Sequence, residues 1–254
     1  MLDVLARPWP GDTFTLPLPG DVEAGATFLG ACEREVRGLR VGVLTDPVIV
    51  ADAPVHAVCL DAVAEAVAAL TGFGHELSQA PVPFPAERWD AFESLWAAGA
   101  LSAPVPEEAE PLLVPLTRWL RAKGRHASGL DVVRATGAVQ SLTREVAVAW
   151  DDLDVVVSPT LAQPPAPIGS IRDDEDPAAD FRAQMAYTPW TSVANLTGRP
   201  SISLPLGWPE IDGRVVPVGV MLTGRLGAET TLLSVAAALE RALPWAHRRP
   251  EVGA

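Results

Sequence analysis

The chain has 254 residues, 48% of them hydrophobic, and a formal net charge of −13 at pH 7. That length and hydrophobicity can bury a substantial core, which excludes wholesale disorder, and the negative charge argues against binding to nucleic acids. Two cysteines, no signal-peptide pattern and no apolar run of the ~18 residues that a membrane helix needs favour a cytoplasmic protein without a membrane partner.

The first third of the chain predicts a strand–helix–strand unit. Residues 1–30 are rich in proline and glycine and predict an extended surface arm, which begins with one helical turn at Met1–Ala6. The β-branched run Leu39–Asp46 predicts a buried strand. Apolar residues at three-and-four spacing predict a helix from Pro54 to Leu70, and a short strand follows from His75. This order is typical of a layered α/β domain.

Helices interrupted by prolines are predicted between residues 85 and 150. One of them carries an apolar stripe that we assign to the core rather than to a ligand site. The stripe consists of Trp89, Phe92, Leu95 and Trp96.

Three more strands and a final helix complete the prediction. The elements are a buried strand at 152–160, a long proline-rich and acidic loop at 161–180, strands at 200–208 and 216–224 joined by a turn at Asp212-Gly213, and a helix at 228–243. Long loops of this kind are often functional. Since no internal repeat or long linker is present, residues 1–254 are predicted to form a single α/β domain with a mixed sheet flanked by helices.

The sequence contains no pattern for a metal or a nucleotide. Its four histidines are far apart, there is no CxxC pair, and the glycine-rich phosphate motifs are missing. We therefore expect no metal and no cofactor. His126 and His247 are predicted to be solvated, and His75 is predicted to lie near a strand end.

Serine candidates are present, but a base for them is not evident. Ser158 ends a predicted strand, and Ser170 lies in the loop after it. A serine nucleophile needs a neighbouring base. The chain's single lysine, Lys123, stands in the basic stretch RAKGRH, which predicts a solvated turn rather than a desolvated catalytic lysine.

The stretch from Ser192 to Gly207, SVANLTGRPSISLPLG, predicts a rigid loop followed by a strand. Asn195 precedes a turn that its amide can hold, and Gly198 can adopt a positive φ there. Just upstream, rings and hydroxyls come together as they do in substrate pockets. The residues concerned are Tyr187, Thr188, Trp190 and Thr191. Ordinary helix-to-strand packing explains the same residues, so both interpretations stay open.

Most of the chain resembles the amidase-signature family. The matching segments are DLDVVVSPTLAQPPAPIG, YTPWTSVANLTGRPSISLPLGW, VPVGVMLTGRLGAETTLLSVAAALE and PWAHRRP, while MLDVLARPWPGDTF resembles the segment that follows the family's catalytic region. Within the family, the resemblance is to the 6-aminohexanoate-cyclic-dimer hydrolase type of bacterial amidase. It implies the C-terminal portion of an amidase-signature domain, and amide C–N bond hydrolysis as the activity.

For the site, the resemblance implies a pocket wall without catalytic residues. The family uses a serine nucleophile, a second serine and a lysine base from a glycine- and serine-rich signature, and nothing in this chain matches that signature. The stretch GSIR at Gly169–Arg172 shares only a few letters with it. The resemblance places Thr191 where family members line the acyl pocket, with Thr188 and Trp190 close by, and gives Asn195 the role of holding the loop. Thr188, Trp190, Thr191 and Asn195 together are the predicted substrate-binding set.

Three functions stay open at this point. The chain is expected to be an inactive portion of an amide hydrolase, one chain of a split two-chain amidase, or a non-catalytic small-molecule-binding protein. Its expected partners are a small amide substrate once it is complemented, and an N-terminal amidase half or a second copy of the chain.

Overall fold

The computed structural model of the protein describes residues 1–12 and 17–249. Its strands are β1 (Arg40–Val43), β2 (Glu76–Gln79), β3 (Val155–Pro159), β4 (Ser201–Gly207), β5 (Glu210–Ile211), β6 (Arg214–Val215) and β7 (Val218–Gly224). Its helices are α1 (Leu2–Leu5), α2 (Gly20–Glu23), α3 (Phe28–Ala31), α4 (Ala57–Gly72), α5 (Asp90–Ser102), α6 (Pro115–His126), α7 (Gly129–Ala149), α8 (Pro177–Tyr187), α9 (Thr191–Thr197) and α10 (Glu229–Ala242), with 3₁₀ turns at Ala86–Trp89 and Glu107–Leu112.

Five strands form one mixed sheet in the order β2-β1-β3-β7-β4, and β5 and β6 form a separate hairpin. β1 runs parallel to β2 and β3, whereas β7 runs antiparallel to β3 and β4. Parallel neighbours need a crossover connection, and α4 provides it between β1 and β2. The predicted α/β class, with a mixed sheet flanked by helices, is confirmed.

The central strand β3 is buried along its whole length, as its run of three valines predicts. Val155 and Val157 pack in the hydrophobic cluster beneath α4 and α10, whereas Val156 packs in the cluster beneath α7 and α9. Alternate side chains of a strand point to opposite faces. β3 therefore joins both helical layers to the sheet, and each buried valine contributes roughly 1.5–3 kcal/mol.

The N-terminal region is more structured than the predicted extended arm. The helical turn expected at Met1–Ala6 is present as α1, and two more single-turn helices, α2 and α3, follow it. Phe28 and Ala31 of α3 are buried, and the Ser234 hydroxyl of α10 donates to the Ala31 carbonyl oxygen (2.7 Å). The arm prediction is wrong where these apolar residues pack against α10; its residues 13–16 lie outside the described residues.

Helix α4 begins later than the sequence predicts. Pro54 is expected as its first residue, but the helix begins at Ala57, and the His56 imidazole caps it. The backbone N–H of His56 donates to the Ala162 carbonyl oxygen (2.8 Å), and the Gln163 side chain donates to the carbonyl oxygen of Pro54. The loop after β3 thereby keeps residues 54–56 out of the helix.

Two helices occupy regions that the sequence predicts as loop. α8 begins within the predicted loop 161–180, where the Asp176 carboxylate accepts hydrogen bonds from the first backbone N–H groups. α9 replaces the loop predicted around Asn195 and ends at Gly198, which has a φ of 70°. Asn195 thus lies on a helix surface, and its predicted role of holding a turn is wrong.

The predicted elements near the C-terminus are present. The turn at Asp212 and Gly213 joins β5 to β6 with φ values of 50° and 74°, the pattern of a type I′ hairpin turn. Among the described residues, no helix combines the length and the apolar character needed to cross a lipid bilayer.

Candidate functional site

A cavity of about 160 Å³ lies between α5, α8 and α9. Its lining residues are Ile49, Trp89, Phe92, Trp96, Phe181, Gln184, Met185, Thr188, Thr191, Ser192 and Asn195. Apolar walls with a few polar groups are typical of small-molecule sites. The structure therefore brings three of the four predicted binding residues, Thr188, Thr191 and Asn195, to one cavity.

Helix α9 supplies two of these residues from one side of the helix. Thr191 and Asn195 are four residues apart, and residues at this spacing lie above one another on a helix face. The buried Val193 faces the core instead. The residue before the helix, Trp190, is 1% exposed and donates its indole N–H to the Asp46 carbonyl oxygen (2.9 Å).

Trp190 is the one predicted binding residue that does not line the cavity. Its ring packs in the core, and the carbonyl oxygen of its neighbour Pro189 accepts from the backbone N–H groups of Val48 and Ile49 (both 3.3 Å). The predicted direct contact between Trp190 and a ligand is therefore wrong. Trp190 positions the start of α9 against the loop after β1, so that it affects a ligand only through the placement of that helix.

The opposite wall is an aromatic ladder, formed by Trp89, Phe92 and Trp96. The ring centroids are 4.6 Å apart for the first pair and 5.3 Å apart for the second. Phe181 adds a fourth ring from α8. The sequence predicts these residues as core, and Trp89 is buried, but Trp96 is 47% exposed. Periodicity finds the apolar face of a helix without telling whether that face meets a core or a cavity.

One side-chain contact joins the aromatic ladder to α8. The indole N–H of Trp89 points to the sulfur of Met185 at 3.2 Å, a contact that fixes the ring's orientation. Sequence analysis missed Met185 and Phe181 as lining residues, because α8 is read as the end of a loop. The Asp-Pro pair at its start is the signal that could have identified the helix.

The polar side chains that α8 and α9 present to the cavity are uncharged amides and hydroxyls. The Gln184 amide donates to the buried Asp180 carboxylate (2.7 Å). The Thr188 hydroxyl donates to the Gln184 carbonyl oxygen (3.0 Å), and the Thr191 hydroxyl donates to the Thr188 carbonyl oxygen (3.4 Å). Each hydroxyl oxygen keeps a lone pair that can accept from a ligand N–H.

Tyr187, the chain's only tyrosine, fixes the loop that follows β3. Its hydroxyl donates to the Pro164 carbonyl oxygen (3.0 Å) and accepts from the Ala166 backbone N–H (3.1 Å). Its own carbonyl oxygen accepts from the Ala162 backbone N–H (3.0 Å). The beginning of the predicted long loop therefore has a defined course beside α8.

The candidate serines are engaged with the backbone or with another hydroxyl. Ser158 is buried and donates to the Pro159 carbonyl oxygen (3.1 Å), and Ser170 donates to the Pro167 carbonyl oxygen (2.9 Å). The Ser203 hydroxyl shares a hydrogen bond of 2.7 Å with a threonine hydroxyl. None of these contacts supplies the base that a serine nucleophile requires.

Lys123 lies away from this cavity. Its side-chain nitrogen pairs with Glu93 and lies 4.3 Å from the centroid of the Trp119 ring. It lines a different cavity, of about 350 Å³, with Ser94, His126 and several carboxylates. A base must lie within hydrogen-bond reach of its nucleophile, and the nearest partners of Lys123 are a carboxylate and a ring. Across residues 1–12 and 17–249, no three His, Cys, Asp or Glu side chains are grouped to hold a metal ion.

The chain belongs to the amidase family, whose sequence profile matches residues 1–233. It is 29% identical to the 6-aminohexanoate-cyclic-dimer hydrolase of Paenarthrobacter ureafaciens, in an alignment that covers 99% of this chain and 52% of that protein. It is 27% identical to an acylamidase of Rhodococcus erythropolis, over 98% of this chain and 51% of that protein. The chain spans about half the length of these curated relatives.

A solved structure agrees with this family membership. A 6-aminohexanoate cyclic dimer hydrolase superposes on 96% of this chain and 52% of its own, with a TM-score of 0.81 and 24% identity. The fold is therefore that of amidase-signature enzymes, and the resemblance predicted from the sequence is confirmed.

Proposed function

We propose that this chain forms one wall of the substrate site of an amide hydrolase, and that the cavity between α5, α8 and α9 holds part of the amide. The proposal rests on the observation that Thr188, Thr191 and Asn195 line the same cavity. The chain that carries this cavity belongs to the amidase family.

We assign the serine pair and the lysine base to a complementing segment, either in a longer polypeptide or in a second chain. Two findings support this assignment. Lys123 is paired with Glu93 outside the cavity, and the hydroxyls of Ser158 and Ser170 donate to backbone carbonyl oxygens. In this proposal, the described part of the chain offers on its own a cavity without an activated nucleophile.

In this proposal, the complementing segment performs the covalent chemistry. Its base takes the proton of the serine hydroxyl, the serine oxygen attacks the amide carbonyl, the amine leaves with a proton, and water then releases the acid. This chain contributes binding and orientation, which convert a bimolecular step into an effectively unimolecular one. Asn195 and the threonine hydroxyls at the cavity orient the polar end of the substrate.

The test is an amide hydrolysis assay on the purified chain, alone and together with a complementing segment. The chain alone is expected to leave 4-nitroacetanilide unhydrolysed. Coexpression with the part of the Paenarthrobacter ureafaciens relative that this chain does not cover is expected to produce turnover, with that segment alone as the control. Turnover by the single chain that disappears in Ser158→Ala, Ser170→Ala or Ser203→Ala would contradict the proposal.

A non-catalytic small-molecule-binding protein is the second candidate. It is favoured by the placement of Lys123, which pairs with Glu93 outside the cavity. Ligand binding by the chain, with no turnover in any complemented mixture, would support this candidate over the first.

A further inference from the structure

We propose that the cavity between α5, α8 and α9 selects an uncharged amide that carries a single aromatic ring. This inference deepens the function proposed above and rests on it, since it names the substrate class of the same site. It is carried by the volume of the cavity, by the aromatic ladder and by the absence of charge among the lining residues.

The volume fits one six-membered ring. The cavity holds about 160 Å³, and an apolar protein cavity of about 150 Å³ is known to bind benzene. A fused two-ring system needs considerably more space than one ring. The cavity is also open on one side, where Trp96 is half-exposed, so that the amide group attached to the ring can extend outward.

The aromatic ladder offers a ring the geometry that aromatic pairs prefer. Such pairs adopt offset or edge-to-face arrangements with centroids 4.5–7 Å apart. The two ring pairs within the ladder, with centroids 4.6 Å and 5.3 Å apart, lie in this range. Trp96 is the outermost ring and is in contact with only one other ladder member, Phe92. A ligand ring can therefore pack against it without displacing a native aromatic pair.

The lining discriminates against anions. All lining side chains of the cavity are uncharged, and the polar ones are amides and hydroxyls. The buried carboxylate on α8, that of Asp180, already accepts a hydrogen bond from Gln184. An anion that enters such a site loses its hydration without gaining a counter-ion, and the faces of the aromatic rings repel it. A benzoate should therefore bind less well than a neutral amide of the same size.

The polar rim sets the orientation of the amide. Thr191 and Asn195 lie on the same face of α9, across the cavity from the ladder. The Asn195 amide can donate to a substrate carbonyl oxygen, and the Thr191 oxygen can accept from a substrate N–H. A substrate whose ring packs against the ladder and whose amide group faces α9 therefore makes favourable contacts with both walls of the cavity.

The experiment measures binding to the purified chain, without any turnover. Fluorine NMR follows 4-fluorobenzamide as the probe, and benzamide, hexanamide, benzoate and 2-naphthamide serve as competitors. Benzamide is expected to displace the probe at a concentration at least tenfold lower than any of the other three. Equal or tighter binding of the anionic, aliphatic or two-ring competitor would overturn the proposal, and so would the lack of measurable probe binding by the folded chain.

Matched tryptophan variants locate the binding. Trp96→Ala is expected to raise the Kd for the probe at least fivefold, whereas Trp9→Ala removes another exposed tryptophan that does not line the cavity and should leave the Kd unchanged. If Trp96→Ala lowers the midpoint of urea unfolding, Phe92→Leu provides the second variant. An unchanged Kd in both ladder variants would overturn the proposal.

This binding result and the hydrolysis result are separable. A chain that binds benzamide but yields no turnover when complemented refutes the proposed hydrolase and leaves the ring selectivity intact. A complemented enzyme that hydrolyses aliphatic amides faster than anilides or benzamides refutes the ring selectivity alone.

Discussion

Trp190 and Thr191 are neighbours in the sequence, but the structure gives them different tasks. Trp190 is fully buried, and its indole N–H is bonded to a loop carbonyl oxygen, whereas Thr191 lines the cavity. A substitution at the first should therefore act on folding, and a substitution at the second should act on ligand binding.

We expect Trp190→Ala to lower the free energy of unfolding by about 3–5 kcal/mol, as large-to-small changes of buried aromatic residues do. Thr191→Trp should leave stability within about 1 kcal/mol and abolish probe binding, because its ring fills the cavity. Urea unfolding and fluorine NMR on both variants provide the measurements, with Thr191→Ser as the control that keeps the hydroxyl. Equal losses of stability and binding in Thr191→Trp would show that this residue is structural.

His75 links stability to pH. Burial lowers the pKa of its imidazole, and the charge of Arg37 lowers that pKa further, while the ring's Nδ1 accepts from the Leu39 backbone N–H (3.3 Å). An unfolded histidine has a pKa of about 6.5, so below that pH the unfolded state binds more protons than the folded one. The contribution of neutral His75 to the free energy of unfolding is therefore complete above about pH 6.5, and it is lost as the pH falls toward the lowered pKa of the folded state.

We expect His75→Asn to flatten the dependence of stability on pH below about 6.5, because asparagine does not titrate and its oxygen can still accept from Leu39. Urea unfolding between pH 5 and 8 measures this dependence. The exposed His126, changed to asparagine, is the matched control and should keep the wild-type profile. An identical slope in wild type and His75→Asn would show that His75 does not link stability to pH.

At the scale of elements, helix α5 is held at its C-terminal end by a buried arginine. The Arg121 guanidinium of α6 donates to the carbonyl oxygens of Ala100 (2.7 Å) and Ala103 (3.0 Å) and pairs with Glu110. Arg125 pairs with the same carboxylate from an exposed position. Phe92 and Trp96 of the aromatic ladder lie on α5, so this anchor also fixes one wall of the cavity.

We expect Arg121→Met to destabilise the protein by at least about 2 kcal/mol, because the carbonyl oxygens at the end of α5 lose a charged donor and the Glu110 carboxylate loses its buried partner. Arg125→Met should cost much less, since exposed ion pairs contribute little. Urea unfolding of the two variants gives the comparison. Similar midpoints for Arg121→Met and Arg125→Met would show that the buried contacts do not anchor α5.

Some elements could be predicted from the sequence, and others could not. α4 is predictable because sixteen residues repeat an apolar face, although loop contacts at Pro54 move its start. α9 is not, because a helix of seven residues is unstable alone and forms here through the anchor at Trp190 and the glycine cap at Gly198. The sequence predicts the aromatic stripe but assigns it to the core, and only the placement of α8 reveals that a cavity lies beside it.

At the scale of the whole molecule, the sheet has an open edge. Within the described residues, β4 pairs with β7 on one side and with no strand on the other. Unpaired strand edges can pair with another chain, and Pro205 lies in this one, where it limits hydrogen bonding. The complementing segment proposed above would add structure beside such an edge.

We expect the isolated chain to self-associate, or to copurify with a complementary chain, because an interface of roughly 800 Å² per partner would cover exposed apolar surface and the open edge. Light scattering across a dilution series measures the mass, and a hydrophobic dye reports exposed apolar area. A compact monomer at every concentration that binds no dye would contradict this expectation.

We propose above that this chain supplies a substrate wall and no activated nucleophile. Fluorophosphonates label activated serines covalently, and intact-mass spectrometry after this treatment shows which chain carries such a serine. We expect an unmodified mass for the chain alone, and in the complemented mixture an adduct on the other segment only. A stoichiometric adduct on this chain, at Ser158, Ser170, Ser203 or any other serine, would refute the proposal.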